Sequence, residues 1–502
     1  MFTSLNPADN GTLGTTKTFF QKNPSLNDYQ IFDAVGNNHS AQYNVNYKHD
    51  FAKEGSNIEL EVDHNIFDSN NPVSFRFPDE IPKNYDDKNN TDRVRTTVNL
   101  DYVNPLNETS KLELGAEARL FTTNILFSST GESIDSNGNS GPAPDTEFDY
   151  TRDIYSLYAT YGKTFDKWTY QLGVRAETVT VAAIANESLI KGTVPTTTNT
   201  PFSNTYRQLY PSMYLTYEPS EKNSYQLSYS RRIDRPGIGQ VNPIKEWSTP
   251  LVSSYGNQKL LPQFTNSIEL NYTRKLEKGT VTGGVFYRAI SNEINRALYV
   301  DKSDIKAGKV ILSHDNFDDT SAYGVELSSN YKPTKWWSFN GSFDLFSQTQ
   351  KGIAEYINVP LEQATEANIV RNTNVVDNVS WNFRMYNSFS ASKRLTFTAF
   401  MFYRGKNKNL QFDMLPMYFM NLGARLSVLK GKGTINLGYN DVFDTMRFRF
   451  GTNKPFPSSG EFNWESRTVQ LGFNYRFGSS NYRAKSRRQR ENDEKSSGGG
   501  IL

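Results

Sequence analysis

Apolar and charged residues alternate in strand after strand of this chain. Trp168, Tyr170, Leu172, Val174 and Ala176 are interleaved with Thr169, Gln171, Gly173, Arg175 and Glu177. Val469, Leu471, Phe473, Tyr475 and Phe477 alternate with Gln470, Gly472, Asn474 and Arg476. Ile58, Leu60 and Val62 oppose Glu59, Glu61 and Asp63, and Leu112, Leu114, Ala116, Ala118 and Leu120 oppose Lys111, Glu113, Glu117 and Arg119. A period of two sends successive side chains to opposite faces of a β-strand. The pattern runs from about Tyr43 to Phe477 without a break in composition, in a chain of 502 residues. It therefore asks for one large sheet with an apolar face and a wet face.

A soluble sandwich also alternates, but its strands average about 5–6 residues. These runs reach roughly 10 residues, the length that crosses a bilayer at a tilt. The mean hydropathy is −0.65, and no stretch approaches the roughly 20 apolar residues of a membrane helix. A transmembrane barrel accommodates both facts, because its apolar surface occupies every second residue. Aromatic residues make up 14% of the chain, and Trp168, Trp336, Trp337, Trp381 and Trp464 suit interfacial girdles. The net charge of +2 argues against a nucleic-acid partner. There is no cysteine, so disulfides, thiolate metal sites and cysteine nucleophiles are excluded. The four histidines, His39, His49, His64 and His314, have no metal-ligand spacing. No metal, cofactor or catalytic set is expected, and the chain does not read as an enzyme.

Short polar turns recur near Lys53–Gly55, Asn104–Asn107, Phe165–Lys167, Pro219–Lys222, Leu276–Gly279, Lys332–Lys335, Ala391–Lys393 and Lys430–Gly433. Gly, Pro, Asn and Lys supply hairpin chemistry there. Long connections are expected at Ser128–Glu147, Val181–Asn204, Asp234–Gln263, Gly352–Asn374 and Gly451–Glu461. Short turns at one end and long loops at the other are the layout of an outer-membrane barrel. Two strands per short turn and one terminal strand give about 17, whereas bacterial single-chain barrels have even numbers. The first clear strand, Ala41–Tyr47, runs downward, so an upward strand must precede it. Either an atypical strand lies inside residues 11–34, or the chain lacks the start of its barrel. The second reading also accounts for the missing signal peptide and is the expectation taken forward. Residues 1–38 are then an irregular start or weak strand, 39–477 the barrel, and 478–502 a basic, Gly-rich disordered periplasmic tail.

The stretch Tyr225-Gln226-Leu227-Ser228-Tyr229-Ser230-Arg231-Arg232-Ile233-Asp234-Arg235-Pro236 precedes Val241-Asn242-Pro243. Gly256-Asn257-Gln258-Lys259-Leu260-Leu261-Pro262-Gln263 then leads into Asn266-Ser267-Ile268-Glu269-Leu270-Asn271-Tyr272. Together these closely resemble the barrel portion of TonB-dependent outer-membrane receptors, the outer membrane protein beta-barrel family. That family usually has Pro where this chain has Gln258 and Glu where it has Gln263. Gly173–Glu177 and Leu437–Asp444 are weaker matches. The resemblance implies an all-β, antiparallel transmembrane β-barrel of about 22 strands, of which about 17 are present and the plug domain absent. It implies localisation in the bacterial outer membrane, contact with outer-membrane lipid, and coupling to the TonB system only through a missing N-terminal plug. The expected function is uptake of a small or oligomeric exogenous ligand that the sequence does not identify. The alternatives are a passive pore or structural barrel, and a soluble secreted β-rich adhesin. Arg231, Arg232 and Arg235 are candidate ligand contacts at the extracellular end of a strand. A structural role is favoured for them, with Pro236 ending the ladder and ion pairs to Asp234 or loop carboxylates fixing the loop. Val469, Leu471, Phe473, Tyr475 and Phe477 belong to the strand that closes the barrel.

Overall fold

The computed structural model describes residues 2–6, 12–19, 27–77, 83–134, 140–191, 194–249, 252–463 and 465–477. One antiparallel sheet of twenty segments dominates it. Two pairs of described segments follow one another along the same course and are counted as one passage each, so the described sheet makes eighteen passages. We number them β1 (Phe2–Asn6 with Thr12–Phe19), β2 (Asn27–Ala34 with Asn37–Asp50), β3 (Asn57–Arg76), β4 (Tyr85–Asn107), β5 (Ser110–Ser129) and β6 (Asp145–Phe165). Next come β7 (Trp168–Lys191), β8 (Val194–Ser220), β9 (Asn223–Asp234), β10 (Gln263–Leu276), β11 (Gly279–Ser291) and β12 (Thr320–Tyr331). The last six are β13 (Trp337–Ile357), β14 (Ile369–Ser390), β15 (Leu395–Arg404), β16 (Met417–Val428), β17 (Gly433–Tyr439) and β18 (Val469–Tyr475).

Each passage pairs with the next in sequence, and all eight expected short turns join strands at one end of the sheet. The count corrects the odd number expected. Both segments of β1 pair along β2, from Phe2↔Gln42 to Phe19↔Asn27. They supply the upward strand that precedes Ala41–Tyr47, so strand parity no longer argues for a missing start. Residues 181–204 are also corrected. They are not a long loop: β7 and β8 stay paired from Trp168↔Tyr217 out to Lys191↔Val194. Among the described residues no ladder joins β1 to β18, and both are edge strands. The tail beyond residue 477 and Trp464 lie outside the described residues.

Exposure is inverted relative to a soluble sheet. Leu157 is 67% exposed, Val379 70% and Leu471 77%, whereas Glu117 is 5% exposed and Glu177 4%. A continuous exposed apolar face of this size marks contact with lipid. It is bordered by aromatic rows. Trp168, Tyr217, Tyr225 and Tyr272 stack across four adjacent strands at the short-turn end, with ring centroids 4.5, 6.4 and 4.8 Å apart. Toward the other end Trp381 stacks on Tyr403 at 4.1 Å, and Tyr403 on Tyr418 at 6.5 Å. Trp336 and Trp337 stack with Phe389 at the short-turn end.

The longest strand, β8, has 27 residues, well beyond the roughly 9–11 that span a bilayer. Its upper part therefore projects past the apolar belt. Loops at that end carry two small sheets, one from Glu246–Thr249, Val252–Ser254, Glu293–Val300 and Val310–Phe317, the other from Asn407–Lys408, Asp413–Met414, Arg447–Thr452 and Ser458–Asn463. The Gln411 amide joins the two, donating to the Leu298 carbonyl at 2.9 Å.

Candidate functional site

Register places one row of polar residues across six strands on the inner face. Glu61 lies opposite Asn99, Asn99 opposite Glu117, Glu117 opposite Ser156, Ser156 opposite Glu177, and Glu177 opposite Gln208. Directly opposed side chains in an antiparallel pair lie about 5 Å apart. Buried carboxylates at this spacing require cations. Arg175, two residues before Glu177 and on the same face, reaches Glu117 at 2.7 Å, Glu177 at 2.6 Å and the Ser156 hydroxyl at 2.7 Å. Arg119 pairs with Glu117 at 2.6 Å. Below this row the Tyr158 hydroxyl donates to Asp101, its ring crossing Gly115, where a Cβ would overlap it.

The second cation on Glu177 comes from a loop. Arg235, just past the end of β9, pairs with Glu177 58 residues away in sequence, and both side chains are buried. Arg152 on β6 donates to the Pro236 carbonyl at 3.3 Å. The loop thus folds inward. A single helical turn, Ile238–Val241, follows, and Gly256 and Asn257 dock on it, donating to the carbonyls of Asn242 (2.6 Å) and Gln240 (2.7 Å). A Cβ on Gly256 would collide with that backbone, which accounts for glycine there. Val241, Ile244, Leu260 and Ile294 then pack on Phe121, Ile125, Phe148, Tyr150, Ala183 and Ala185 of the inner wall. The apolar roof sits above the polar row and is anchored to it by Arg235.

The three arginines singled out from the sequence go to three places. Arg235 is buried in this anchor. Arg232 is exposed, opposite Thr265. Arg231 lies over the Phe264 ring at 5.0 Å and donates to Gln208 at 3.5 Å. Asp234 accepts from the Gln263 side-chain amide Nε2 at 2.9 Å, and Oε1 of the same side chain accepts from the Ile294 backbone amide at 3.1 Å. A glutamate at 263 would set two carboxylates against each other, so the amide suits this site. Glu117, Arg175 and Glu177 were not foreseen as a cluster. The usable signal was the same-face pair Arg175 and Glu177, two residues apart on a strand.

The Leu437–Asp444 stretch is the last part of β17 and the corner that follows it. Asp441 has φ +43° and accepts from the amides of Thr445 (2.9 Å) and Met446 (3.0 Å) and the Ser466 hydroxyl (2.7 Å). Burial pushes its carboxyl up, but these donors outweigh burial and hold it below the ordinary carboxylate value. Among the described residues no group of three or more His, Asp or Glu is placed to hold a metal ion.

Comparison with known proteins agrees with this geometry. No curated protein sequence matches the chain. Among solved structures, the ferric yersiniabactin uptake receptor FyuA of Yersinia pestis aligns with TM-score 0.51 at 10% identity, over 92% of this chain and 72% of that one. The hemophore receptor HasR of Serratia marcescens aligns with TM-score 0.52 at 12% identity, over 93% and 71%. The ferric-catecholate import receptor Fiu of E. coli K12 gives 0.51 at 12%, over 93% and 77%. At these identities the likeness is one of fold. The family model described as "Outer membrane protein beta-barrel family" matches residues 49–475. With its lipid-facing apolar belt, antiparallel hairpin order and charged inner wall, the chain belongs to the outer membrane protein beta-barrel family and resides in the bacterial outer membrane.

Proposed function

We propose that this chain is the barrel portion of an uptake receptor that binds an exogenous ligand at its long-loop face and passes it along the charged inner wall. One observation carries the reading: the inner wall is roofed by the docked segments 235–244 and 256–262 rather than left open. Traffic past Glu117, Arg175 and Glu177 requires that roof to move, which favours a gated receptor over a passive pore. The latch adds an ion pair to the roof's apolar packing, so a charged ligand or moving element is able to compete for part of what holds it. In this reading a plug and its TonB contact are supplied by sequence outside these 502 residues, and further strands close the sheet between β1 and β18. That the solved receptors are longer chains supports this part of the reading. The exposed apolar belt disfavours the soluble adhesin.

The test compares cells carrying and lacking the gene. Depletion of a panel of iron chelates and oligosaccharides is followed by mass spectrometry, with and without a protonophore. The reading expects gene-dependent uptake of one ligand class that the protonophore abolishes. Gene-dependent uptake that persists with the protonophore supports the passive pore instead.

A further inference from the structure

The outer face carries a second feature that uptake does not use. A hollow of about 1050 Å³ lies against strands β4–β9. Parity shows which face it occupies. Leu100, Ala116, Leu157, Ala176 and Leu209 form one row across β4–β8, directly opposite one another in turn. Val98, Ala118, Tyr155, Thr178 and Arg207 form the next row toward the long loops. All ten line the hollow, and Leu100, Tyr155, Leu157 and Leu209 are exposed apolar residues of the lipid face. Large and small residues alternate from strand to strand. The small side chains of β5 and β7 are therefore troughs between ridges on β4, β6 and β8, each about 10 Å from ridge to ridge.

At the upper rim the wall splits. The β8–β9 ladder runs downward from Ser212↔Ser230, and Pro211, with no N–H to donate, stands at the break. Arg231 and Arg207 both line the hollow at this split. Arg207 is exposed, and Arg231 keeps a buried Nε without a hydrogen-bond partner. Neither forms an ion pair among the described residues. Asp153, the outward-facing acid nearby on β6, lies two strands away and one row higher. Height matters too. Arg207 is ten residues along β8 from Tyr217 of the lower aromatic row, roughly 33 Å of strand at 3.3 Å per residue. At the usual tilt of about 40° that is about 25 Å of vertical rise, the height of the apolar band in such barrels. Arg207 thus stands where headgroups begin, in one row with Ala118, and Arg231 rises toward it from the level of Pro211, two rows lower, reaching Gln208 and the Phe264 ring.

We infer that Arg207 and Arg231 bind the phosphate of a specific lipid whose acyl chains lie in the troughs over Ala116, Ala118 and Ala176. Charge complementarity at the rim and apolar shape below it together select a phosphate-bearing lipid over a free anion. Guanidinium forks suit a phosphate's oxygens, and removal from bulk water strengthens the contact.

The test uses the full chain purified from its native membrane, with native mass spectrometry after delipidation and titration with phosphatidylglycerol. The wild type should retain one phosphate-bearing lipid. Arg207→Ala with Arg231→Ala should weaken retention at least tenfold. Because Arg231 also packs on Phe264, a second variant, Ala118→Trp, fills a trough while leaving both arginines and should weaken retention similarly. Heat-modifiable gel migration confirms that each variant is folded. Equal retention by wild type and both variants overturns the proposal. So does equal retention of diacylglycerol, which would mean an apolar groove only, or displacement by millimolar inorganic phosphate, which would mean a free-anion site.

Discussion

Arg235→Ala cuts the anchor between the roof and the inner wall. In the wild type, Arg235 and Glu177 are both buried, and among the described residues Arg175 is the ion-pair partner that Glu177 keeps once Arg235 is gone. Removing one partner of a buried pair costs roughly 3–5 kcal/mol, mostly from the charge left behind. Arg175 remains within reach, so the lower end applies. At about 1.4 kcal/mol per factor of ten, the docked roof loses about two orders of magnitude against its undocked form. The strands beneath hold their own ladders, so the loss is local. Hydrogen exchange on the full chain in a membrane mimetic reads this directly. The amides of Gln240, Asn242, Gly256, Asn257, Lys259 and Leu260, which donate within the docked loop, should exchange about a hundredfold faster. The β5–β7 amides should not change. The double variant Glu177→Gln with Arg235→Met should cost less than the sum of the singles, because no unpaired charge remains. Unchanged exchange in Arg235→Ala, or uniform loosening of the whole sheet, would refute a latch that holds the roof alone.

Other consequences are as specific. Gln263→Glu removes the donor to Asp234 and opposes two carboxylates; we expect a loss of about 1–3 kcal/mol, seen as earlier conversion on a heat-modifiable gel, and no such loss in Gln263→Ala with Asp234→Ala. Asp441 has a folded value below its ordinary 3.8, so its contribution is present above that value and is lost as pH falls through the lower folded one. Exchange at residues 441–446, corrected for intrinsic rates, should accelerate on going from pH 5 to pH 3 in the wild type and show no such step in Asp441→Asn. Val174→Arg places a guanidinium in the middle of the lipid face and should cost roughly 2–4 kcal/mol in a reversible unfolding titration. Gly115→Ala collides with the Tyr158 ring and should cost about 1–3 kcal/mol in the same titration.

The alternation and the turns were legible because each is local. A strand's two faces need only a period of two, and a hairpin needs only its few turn residues. The chain near Thr12-Leu13-Gly14-Thr15-Thr16-Lys17 has no clean alternation, so β1 was underread; its register comes from pairing with β2. The segment 181–204 was overread as loop because Thr, Pro and Asn dominate it. Pairing with β7, continuous from Trp168↔Tyr217 to Lys191↔Val194, overrides that composition. The arginines illustrate the limit most sharply. Arg231, Arg232 and Arg235 sit within five positions, yet strand parity and the end of one ladder send them to the outer rim, to solvent and to the buried latch. The Arg235 partner, Glu177, lies two strands away, and only register shows that they meet.

The chain's lack of cysteine permits the most direct test of the central claim that one face of this wall meets lipid and the other water. Single cysteines at Tyr323, Val325, Glu326, Leu327, Ser328 and Asn330 along β12, each carrying a spin label in the membrane-embedded chain, are relaxed by oxygen or by an aqueous nickel reagent. Labels at Tyr323, Val325 and Leu327 should favour oxygen and those at Glu326, Ser328 and Asn330 nickel, with a period of two. Labels that show no alternation, or that favour nickel at all six positions, would contradict a membrane-spanning wall.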